Sequence, residues 1–416
     1  MQPLVTTNDE DVRQKLVQRA RAMIPELVAR QAETEARTHY APDTHAAFEE
    51  AGFYDIMVPK AFGGLDLDVK TYYQVVMALS EGCPSTGWQY CLGSAHAVTI
   101  CGMYDLAAQR QIFDIDEPFI CAVTARPQGE ARRRPDGDWE INGVFNYASG
   151  IPYSSHFMSH TIALDADGKP EGVMTFVAPR SEWTIIDDWG GSLGQKGSGS
   201  NSVRLDKAHI PAAFVRENRQ HVEHRSAPRN EATAHLDNPV YYGGTLSLWL
   251  LEPAAMTLGM VKGALDECAT LMTTKTNPVP PITLKVENAD FQRWYGAAAA
   301  KIATAEAAFY DACDKWTEDA RLNMLGLKTP DNHLEITSNV ICGEVMEMCW
   351  EAMQLLYRVA GTSPMFDGQR MQRIYRDIST ARSHGFNTRF DEIHRNLARE
   401  LLGKSQAVSK EDTQPA

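Results

Sequence analysis

The spacing of hydrophobic positions changes twice along the chain. From Asn8 to about Leu106 apolar residues recur at intervals of three or four, which is typical of amphipathic helices. Between about Glu117 and Pro211 short runs rich in β-branched and aromatic residues alternate with turn signals, which predicts a compact β-domain of about five to seven strands. From Leu246 onward the helical spacing returns. It predicts four long helical blocks, at about 246–275, 288–321, 333–360 and 370–402.

The predicted fold class is therefore α+β and mostly α, with helices before and after a β-domain. One cleft is expected where the layers meet, because ligands favour such junctions. The predicted units are an N-terminal helical domain (1–116), a central β-domain (117–214), a connecting loop (215–240), a C-terminal helical bundle (241–403) and a frayed polar tail (404–416).

The longest apolar stretch, from Gly243 to Met260, is interrupted by Glu252 and Pro253, which argues against a membrane span. Because proline favours the first turn of a helix, Pro253 also predicts a helix that starts there, with Glu252 at its terminus. Residues 1–10 show no cationic segment followed by an apolar run, so no secretory signal is expected.

Charge and cysteine content exclude further classes of protein. The formal net charge is −14, and acidic and basic residues are interleaved along most of the chain. Because nucleic-acid binding needs a basic stripe, no nucleic-acid partner is expected. The eight cysteines are scattered without a CxxC pair. That usage favours reduced, buried thiols and a cytoplasmic location over a disulfide framework.

The Gly-rich segment from Gly190 to Asn201 invites comparison with a dinucleotide site. It precedes a strand rather than a helix, which argues against that fingerprint. A plain loop and a backbone cradle for another ligand both remain open, with Lys196 and Ser200 available to a phosphate.

Metal binding and serine hydrolysis are disfavoured too. His156 and His160 lie four residues apart on a predicted strand, hence roughly 13 Å from each other. His221 and His224 lie in a polar, irregular loop. No segment that resembles GxSxG follows a strand and opens a helix. We therefore expect no metal site and no nucleophile elbow.

Three side chains remain as candidates for chemistry. Ser149 follows two aromatic residues in the stretch GVFNYASG, at the predicted end of a strand. His96 lies among small and apolar residues, and His384 ends a helical stretch. On the residues alone, a lone histidine in such a setting is more often a buried structural group than a catalytic one.

Five motifs occur in order between residues 10 and 402. They are GCPSTGW with His96 eight residues after Trp88, FNYASG, Trp189 followed by LGQKGSGSN, a strand that ends in Ile-Pro, and QRIYRD with His384 seven residues after Asp377. Together they resemble the flavin-dependent monooxygenases built on the acyl-CoA dehydrogenase fold, which are oxygenase components of two-component systems. Members similar to this sequence include 4-hydroxyphenylacetate hydroxylase, secosteroid phenol hydroxylase and dibenzothiophene monooxygenase.

The resemblance implies an N-terminal helical domain, a central β-domain and a C-terminal four-helix bundle, assembled as a homotetramer. It implies reduced flavin, FMNH2 or FADH2, at the domain junction and O2 as co-substrate. Since nothing in the chain looks like a pyridine-nucleotide site, the implied partner is a separate NAD(P)H-dependent flavin reductase. The implied substrate is a phenolic, indolic or polycyclic aromatic small molecule.

The resemblance also implies roles for individual residues. Reduced flavin adds oxygen at carbon 4a, and the hydroperoxide survives only while the N5 proton is held and water is kept out. The implied catalytic residues are Ser149 beside N5, His384 beside the peroxide and His96 facing the substrate. The implied flavin-binding residues are Ser149, Trp88, Tyr147, Trp189, Lys196, Ser200, Asn201 and Arg376, with Phe145 in the same dry wall.

One departure from the family concerns the Gly-rich loop. Related oxygenases usually have arginine where this chain has Lys196, and lysine keeps the charge but loses the planar fork. The contacts of that loop with flavin are therefore open. The expected substrate lining draws on His96, Tyr153, the helix from Trp249 to Met260, and Phe366.

Two other functions stay in competition. An acyl-CoA dehydrogenase needs a carboxylate base after the last Arg-Asp pair, but that region reads Ser383-His384-Gly385, without an acidic residue. Glu252 is a conceivable base from an earlier helix. The third possibility is a helical interaction protein that kept the fold without flavin.

Overall fold

The computed structural model describes residues 7–218, 228–230, 233–327, 333–385 and 390–403. The chain starts with six helices, which confirms the helical spacing seen before residue 106. They are α1 (Thr7–Arg37), α2 (Pro42–Glu50), α3 (Val69–Gly82), α4 (Pro84–Ser94), α5 (Ala97–Met103) and α6 (Leu106–Ile112). The predicted tail 404–416 and the histidines at 221 and 224 lie outside the described residues.

Helix α3 is the central element of the N-terminal part. It begins after Asp68, whose side chain accepts a hydrogen bond of 2.8 Å from the Thr71 N–H and so caps the helix. Almost all of its side chains are buried, because it packs against α1, α4 and α7 (Thr245–Thr274). Helix α3 therefore joins the two helical parts of the molecule.

The central part is one sheet of eight short strands, one more than the upper limit of the prediction. They are β1 (Cys121–Val123), β2 (Glu130–Arg133), β3 (Trp139–Phe145), β4 (His156–Leu164), β5 (Pro170–Pro179), β6 (Thr184–Ile186), β7 (Ser202–Ile210) and β8 (Val215–Arg216). The order is β6-β7-β3-β2-β4-β5-β8, with β1 also paired to β4. The prediction missed β2, β6 and β8, which are too short to show a period of two.

The C-terminal part contains α7, α8 (Ala289–Met324), α9 (His333–Ala360), α10 (Arg370–Arg382) and α11 (Phe390–Leu401). The first three agree with the predicted blocks. The fourth block, predicted as one helix over 370–402, is wrong, because α10 ends at Arg382 and α11 begins at Phe390. Gly385 lies in this interruption, and glycine disfavours a continued helix.

Helix α7 does not start at Pro253, so the prediction drawn from that proline is wrong. It begins at Thr245, so Pro253 lies inside the helix and Glu252 is an interior residue rather than a terminus. An internal proline costs about 3 kcal/mol of helix stability. Nearly every residue from Thr245 to Ala264 is buried, and this packing outweighs the local preference of proline.

Two sequence-level expectations can be compared with the described residues. All eight cysteines are buried and unpaired with one another, as their scattered positions predicted. In the described part of the chain no helix has the length and apolarity needed to cross a membrane. The domain boundaries proposed from the sequence remain predictions.

Two glycines test the packing between α3 and α7. A Cβ atom on Gly259 would lie 2.4 Å from the Met77 carbonyl oxygen, whereas one on Gly296 in α8 would meet nothing within 4 Å. We expect Gly259→Ala to lower the free energy of unfolding by about 1–3 kcal/mol, because backbone must shift. The matched change Gly296→Ala should raise it by about 0.5–1 kcal/mol through helix propensity. Urea unfolding of both variants measures this, and equal effects would contradict the tight α3–α7 contact.

Candidate active site

A cavity of about 640 Å³ lies where the helical parts meet the sheet. Helix α4 contributes Trp88 to its wall, the segment after β1 contributes Thr124, and the loop after β3 contributes Ser149. Helix α7 contributes Trp249, and His384 follows α10. Residues from every layer of the fold thus surround one space, as the predicted cleft required.

Three serine hydroxyls and one indole N–H in the wall form a chain of hydrogen bonds in which each group donates to the next. Ser198 Oγ donates to the Gln195 carbonyl oxygen at 2.8 Å, which uses its only proton. Ser198 therefore accepts from Ser200 at 2.7 Å, and Ser200 accepts from Ser149 at 2.6 Å. Ser149 in turn accepts from Trp88 Nε1 at 3.2 Å.

The direction of this chain determines what Ser149 can still do. Its proton is given to Ser200, so Ser149 has no proton left for a ligand. Its oxygen has two lone pairs, and Trp88 uses one of them. Ser149, which lines the cavity, can therefore accept one more hydrogen bond from an N–H or O–H group there.

The Gly-rich loop is held against α10 by backbone contacts. The Gln195 N–H donates to Asp377 Oδ1 at 2.5 Å. A Cβ atom on Gly194 would lie 2.1 Å from the Arg376 carbonyl oxygen, so only glycine allows this approach. At its other end the Gly199 N–H donates to the Thr38 carbonyl oxygen at 2.8 Å. These contacts position the serines of the loop.

Aromatic side chains form the apolar walls. Trp88 and His384 meet edge to face with ring centroids 5.4 Å apart, and Tyr147 and Trp189 lie at the same separation. Trp189 Nε1 donates to the Gln195 carbonyl oxygen at 2.9 Å, which fixes its ring relative to the loop. Burial lowers the pKa of His384 to about 4, so its imidazole is neutral at neutral pH.

His96 is buried at the end of the cavity nearest α7. Its Nδ1 lies 2.7 Å from the Cys121 carbonyl oxygen and must donate there, because a carbonyl only accepts. Burial lowers the pKa of His96 to about 4, so the ring is neutral and Nε2 carries a lone pair. The ring also meets Trp249 edge to face, with centroids 5.4 Å apart.

Glu252 is a carboxyl group in the wall at this same end. The residue is 1 % exposed, and its Oε1 has no hydrogen-bond partner among the described residues. Burial raises the pKa of Glu252 well above its usual range, which favours its protonated form. A protonated carboxyl is a poor base, which weakens the case for Glu252 as the base of a dehydrogenase.

The sequence-predicted site residues divide into two groups. Seven of them line the cavity: Trp88, His96, Tyr147, Ser149, Trp189, Ser200 and His384. Three do not: Lys196, Asn201 and Arg376. Asn201 Nδ2 donates to the Ile186 carbonyl oxygen, and Arg376 donates to the Leu193 carbonyl oxygen and pairs with Glu35. The role of these three in flavin binding stays a prediction.

Three further expectations about the lining are wrong. Phe145 is fully buried against Phe157 and Phe176 within the sheet, because its side chain points to the core face of β3. Tyr153 stacks on His45 instead of reaching the cavity. Phe366 is largely exposed on the surface. None of these three belongs to the cavity wall.

Sequence reasoning missed several wall residues. Gln195 and Ser198 support the hydroxyl chain, yet they lie in a loop whose glycines were its only clear signal. Thr380 lies one turn after Arg376 on α10, and Arg126 is exposed just beyond β1. A helical spacing of three or four from the predicted Arg376 could have indicated Thr380.

His156 and His160, the histidines that the sequence analysis weighed as metal ligands, have other neighbours in the described residues. His156 Nδ1 lies 3.2 Å from Ser155 Oγ, and His160 Nδ1 lies 2.8 Å from the Ala125 carbonyl oxygen. The side chains of Asp136, Asp138 and His209 place their potential ligand atoms within 4.8 Å of one another, which is close enough for one metal ion. These side chains lie at the β2–β3 turn and β7, outside the cavity, and such exposed acidic groups are common without an ion.

Comparisons with known proteins agree with this architecture. Residues 10–111 match the family model of the acyl-CoA dehydrogenase N-terminal domain, and residues 251–389 match that of the C-terminal domain. XiaF from Streptomyces sp., solved in complex with FADH2 and glycerol, is 22% identical with a TM-score of 0.86. The alignment covers 97% of this chain and 98% of XiaF, and it shows a shared fold.

Two curated proteins are similar over almost the whole chain. The oxygenase component of p-hydroxyphenylacetate 3-hydroxylase from Acinetobacter baumannii is 23% identical, across 93% of this chain and 89% of that protein. The pigment production hydroxylase of a Rhodococcus species is 26% identical, across 90% of this chain and 93% of that protein. Each match therefore spans at least 89% of both proteins compared.

The contact between Asp377 and the Gly-rich loop predicts a pH dependence of stability. Burial raises the pKa of Asp377 from 3.8 to about 7. A carboxyl with a raised pKa in the folded state stabilises fully below its unfolded pKa, and this contribution is lost as pH rises through the folded pKa. We therefore expect Asp377 to lower wild-type stability between pH 3.8 and about 7.

The variant Asp377→Asn should lack this part of the pH dependence while keeping an acceptor for Gln195 N–H. Urea unfolding at several pH values measures the slope. Asp367→Asn, at an exposed carboxyl, is the matched control and should follow the wild type. Identical slopes for Asp377→Asn and the wild type would contradict the prediction.

Proposed function

Because the chain belongs to the acyl-CoA dehydrogenase fold family, we propose that it is the oxygenase component of a two-component flavin-dependent monooxygenase that oxygenates an aromatic small molecule. The curated relative named as an oxygenase component, similar over nearly the full length, supports this proposal. The single observation that carries it is the directed hydroxyl chain, which leaves Ser149 as an acceptor inside an aromatic-walled cavity.

The cavity fits the ring system of reduced flavin. That ring has two apolar faces and a polar edge with N–H donors, and the wall offers the rings of Trp88, Tyr147 and Trp189 beside the acceptor Ser149. Reduced flavin, FMNH2 or FADH2, would supply two electrons, so that one atom of O2 enters the substrate and the other leaves as water. The residues present therefore match both the shape and the hydrogen bonding of the cofactor.

Ser149 would hold a proton in place. A donor N–H on the flavin edge meets an oxygen whose own proton is already directed to Ser200. Because Ser149 has no proton to give, it can accept but cannot act as an acid toward that edge. Fixing an N–H in this way, while Trp88 and Trp189 exclude water, keeps a reactive oxygen species from decomposing.

The two histidines would serve different groups. His384 lies beside Trp88 in the cavity wall, where its neutral imidazole would contact an oxygen atom bound in the cavity. His96 lies at the α7 end, where its Nε2 lone pair can accept a hydrogen bond from the hydroxyl group of a phenol. Increased electron density on the phenol oxygen activates the ring toward an electrophilic oxygen.

The partners follow from the same proposal. An oxygenase component receives its reduced flavin from a separate NAD(P)H-dependent reductase. We include in the proposal the homotetramer and the cytoplasmic location that the family resemblance implies. The dehydrogenase alternative has little support in the cavity, since the residue near the expected base is His384 and burial favours the protonated form of Glu252, the carboxyl in the described wall.

The proposed reaction can be tested with isotope-labelled oxygen. Chemically reduced FMN or FAD is mixed with the protein, labelled O2 and a panel of phenols and indoles, and products are analysed by mass spectrometry. We expect one labelled atom in a product, and no oxygen consumption with NADPH and oxidised flavin when the reductase is absent. His384→Ala should release more hydrogen peroxide per oxygen consumed, whereas His394→Ala, at an exposed imidazole, should not. Release of all oxygen as peroxide with every compound would contradict the proposal.

Ser149→Ala tests the acceptor at the end of the hydroxyl chain. The variant removes one hydrogen bond to the reduced cofactor, so we expect its dissociation constant to rise by up to about tenfold. Peroxide release per oxygen consumed should also increase, and the thermal midpoint should fall modestly because Trp88 Nε1 and Ser200 each lose a partner. The exposed Ser181→Ala is the matched control. Unchanged binding and coupling in Ser149→Ala would remove Ser149 from this role.

A further inference from the structure

One polar group in the cavity has no task in the proposed reaction. Glu252 lies in the interior of α7, is 1 % exposed, and its Oε1 has no hydrogen-bond partner among the described residues. Leaving such a group unsatisfied costs about 1–3 kcal/mol, which natural structures rarely accept without a reason. Its position in the cavity wall points to a ligand that completes its bonding.

Helix geometry places Glu252 beside the end of the cavity where a substrate would lie. Leu246, Trp249 and Glu252 are spaced by three residues, so they share one face of α7, and all three line the cavity. Trp249 contacts the ring of His96. Two hydrogen-bonding groups, His96 Nε2 and the Glu252 carboxyl, therefore belong to the same end of the cavity.

The two groups have complementary abilities. His96 offers a lone pair at Nε2, because its Nδ1–H is used by the Cys121 carbonyl oxygen. The groups that interact electrostatically with Glu252 include Tyr72, Tyr73 and Cys91, and none of these three carries a positive charge that would compensate a carboxylate. The neutral form of Glu252 has an O–H to donate. A ligand that donates at one point and accepts at another satisfies both.

We propose that Glu252 is a specificity-determining residue whose carboxylic O–H donates to a carbonyl or hydroxyl oxygen of an uncharged phenolic substrate, while His96 Nε2 accepts a hydrogen bond from the phenolic hydroxyl group. This inference rests on the proposed function, because it assigns the substrate class of the same cavity. The substrate is thus a neutral aromatic ring with a hydroxyl group and a second oxygen function away from it.

The charge distribution disfavours an anionic substrate at this end. The charged or acidic side chains in the wall are Glu252 and Arg126, and Arg126 is exposed. A substrate carboxylate placed beside Glu252 would be buried without a cation, which is strongly unfavourable. A neutral ketone or hydroxyl oxygen avoids this penalty.

A binding comparison between two ligands of similar size tests the proposal. 4-Hydroxyacetophenone has a carbonyl group at the position where 4-ethylphenol has a methylene group, so only the ketone offers a second oxygen atom. Dissociation constants are measured by calorimetry with reduced FMN present under argon, so that no turnover is needed. We expect the ketone to bind the wild type more tightly, and Glu252→Met to reduce the ratio of the two constants about tenfold, as for one buried hydrogen bond.

Two variants separate hydrogen bonding from packing. Glu252→Gln keeps an N–H donor, so the ratio of the two dissociation constants should fall by less than about threefold relative to the wild type. Thr257→Val removes a polar group from the same helix outside the cavity wall, since Thr257 Oγ1 donates to the Pro253 carbonyl oxygen, and it should leave the ratio unchanged. An unchanged ratio in Glu252→Met, or equal or absent binding of both ligands to the wild type, overturns the proposal.

Infrared spectroscopy of the wild type provides an independent readout if Glu252→Met does not fold. The carboxylic C=O band should shift when 4-hydroxyacetophenone binds and stay in place when 4-ethylphenol binds, and a shift with both or neither overturns the assignment. Failure of oxygenation with the expected binding ratio would overturn the proposed function alone. Oxygenation with an unchanged ratio would overturn the role of Glu252 alone.

Discussion

The hydrogen bond from the Gln195 N–H to the Asp377 carboxyl is the contact on which the rest of the cavity depends. It joins the Gly-rich loop to α10, and the close approach of Gly194 to the backbone of Arg376 leaves the loop no room to move along that helix. The Gln195 carbonyl then receives Ser198 and Trp189. Each later step, from Ser198 through Ser200 to Ser149, takes its direction from this anchor.

Burial sets the protonation state of the groups that this scaffold surrounds. The same desolvation lowers the pKa values of His96 and His384 and raises those of Glu252 and Asp377, so all four groups favour their neutral forms. Neutral groups exchange hydrogen bonds whose direction depends on their geometry rather than on charge. The neighbours of Ser149, His96 and Glu252 therefore determine whether each side chain accepts or donates a hydrogen bond in the cavity.

The outline of the fold could be predicted from the sequence, because helical spacing persists over long segments and survives local exceptions. Boundaries failed where tertiary packing outweighed a local signal, as at Pro253 inside α7, or where an element was too short to show a period, as for β2. Seven proposed site residues line the cavity because their motifs are compact and lie near helix or strand ends. Ser198 and Glu252 were harder to assign, since their roles depend on partners distant in the sequence or on the lack of one.

The rim of the cavity differs from its interior in one respect. Tyr147 is 61% exposed and leans on the half-buried Trp189, with Leu193 also exposed nearby in the loop. An exposed aromatic side chain at the rim offers an apolar first contact to a planar aromatic ring that enters the cavity. Under the proposed function, a cofactor that exchanges between cycles would pass this exposed aromatic edge, so its entry would depend on the apolar surface of Tyr147 as well as on the charge of the exposed Arg126.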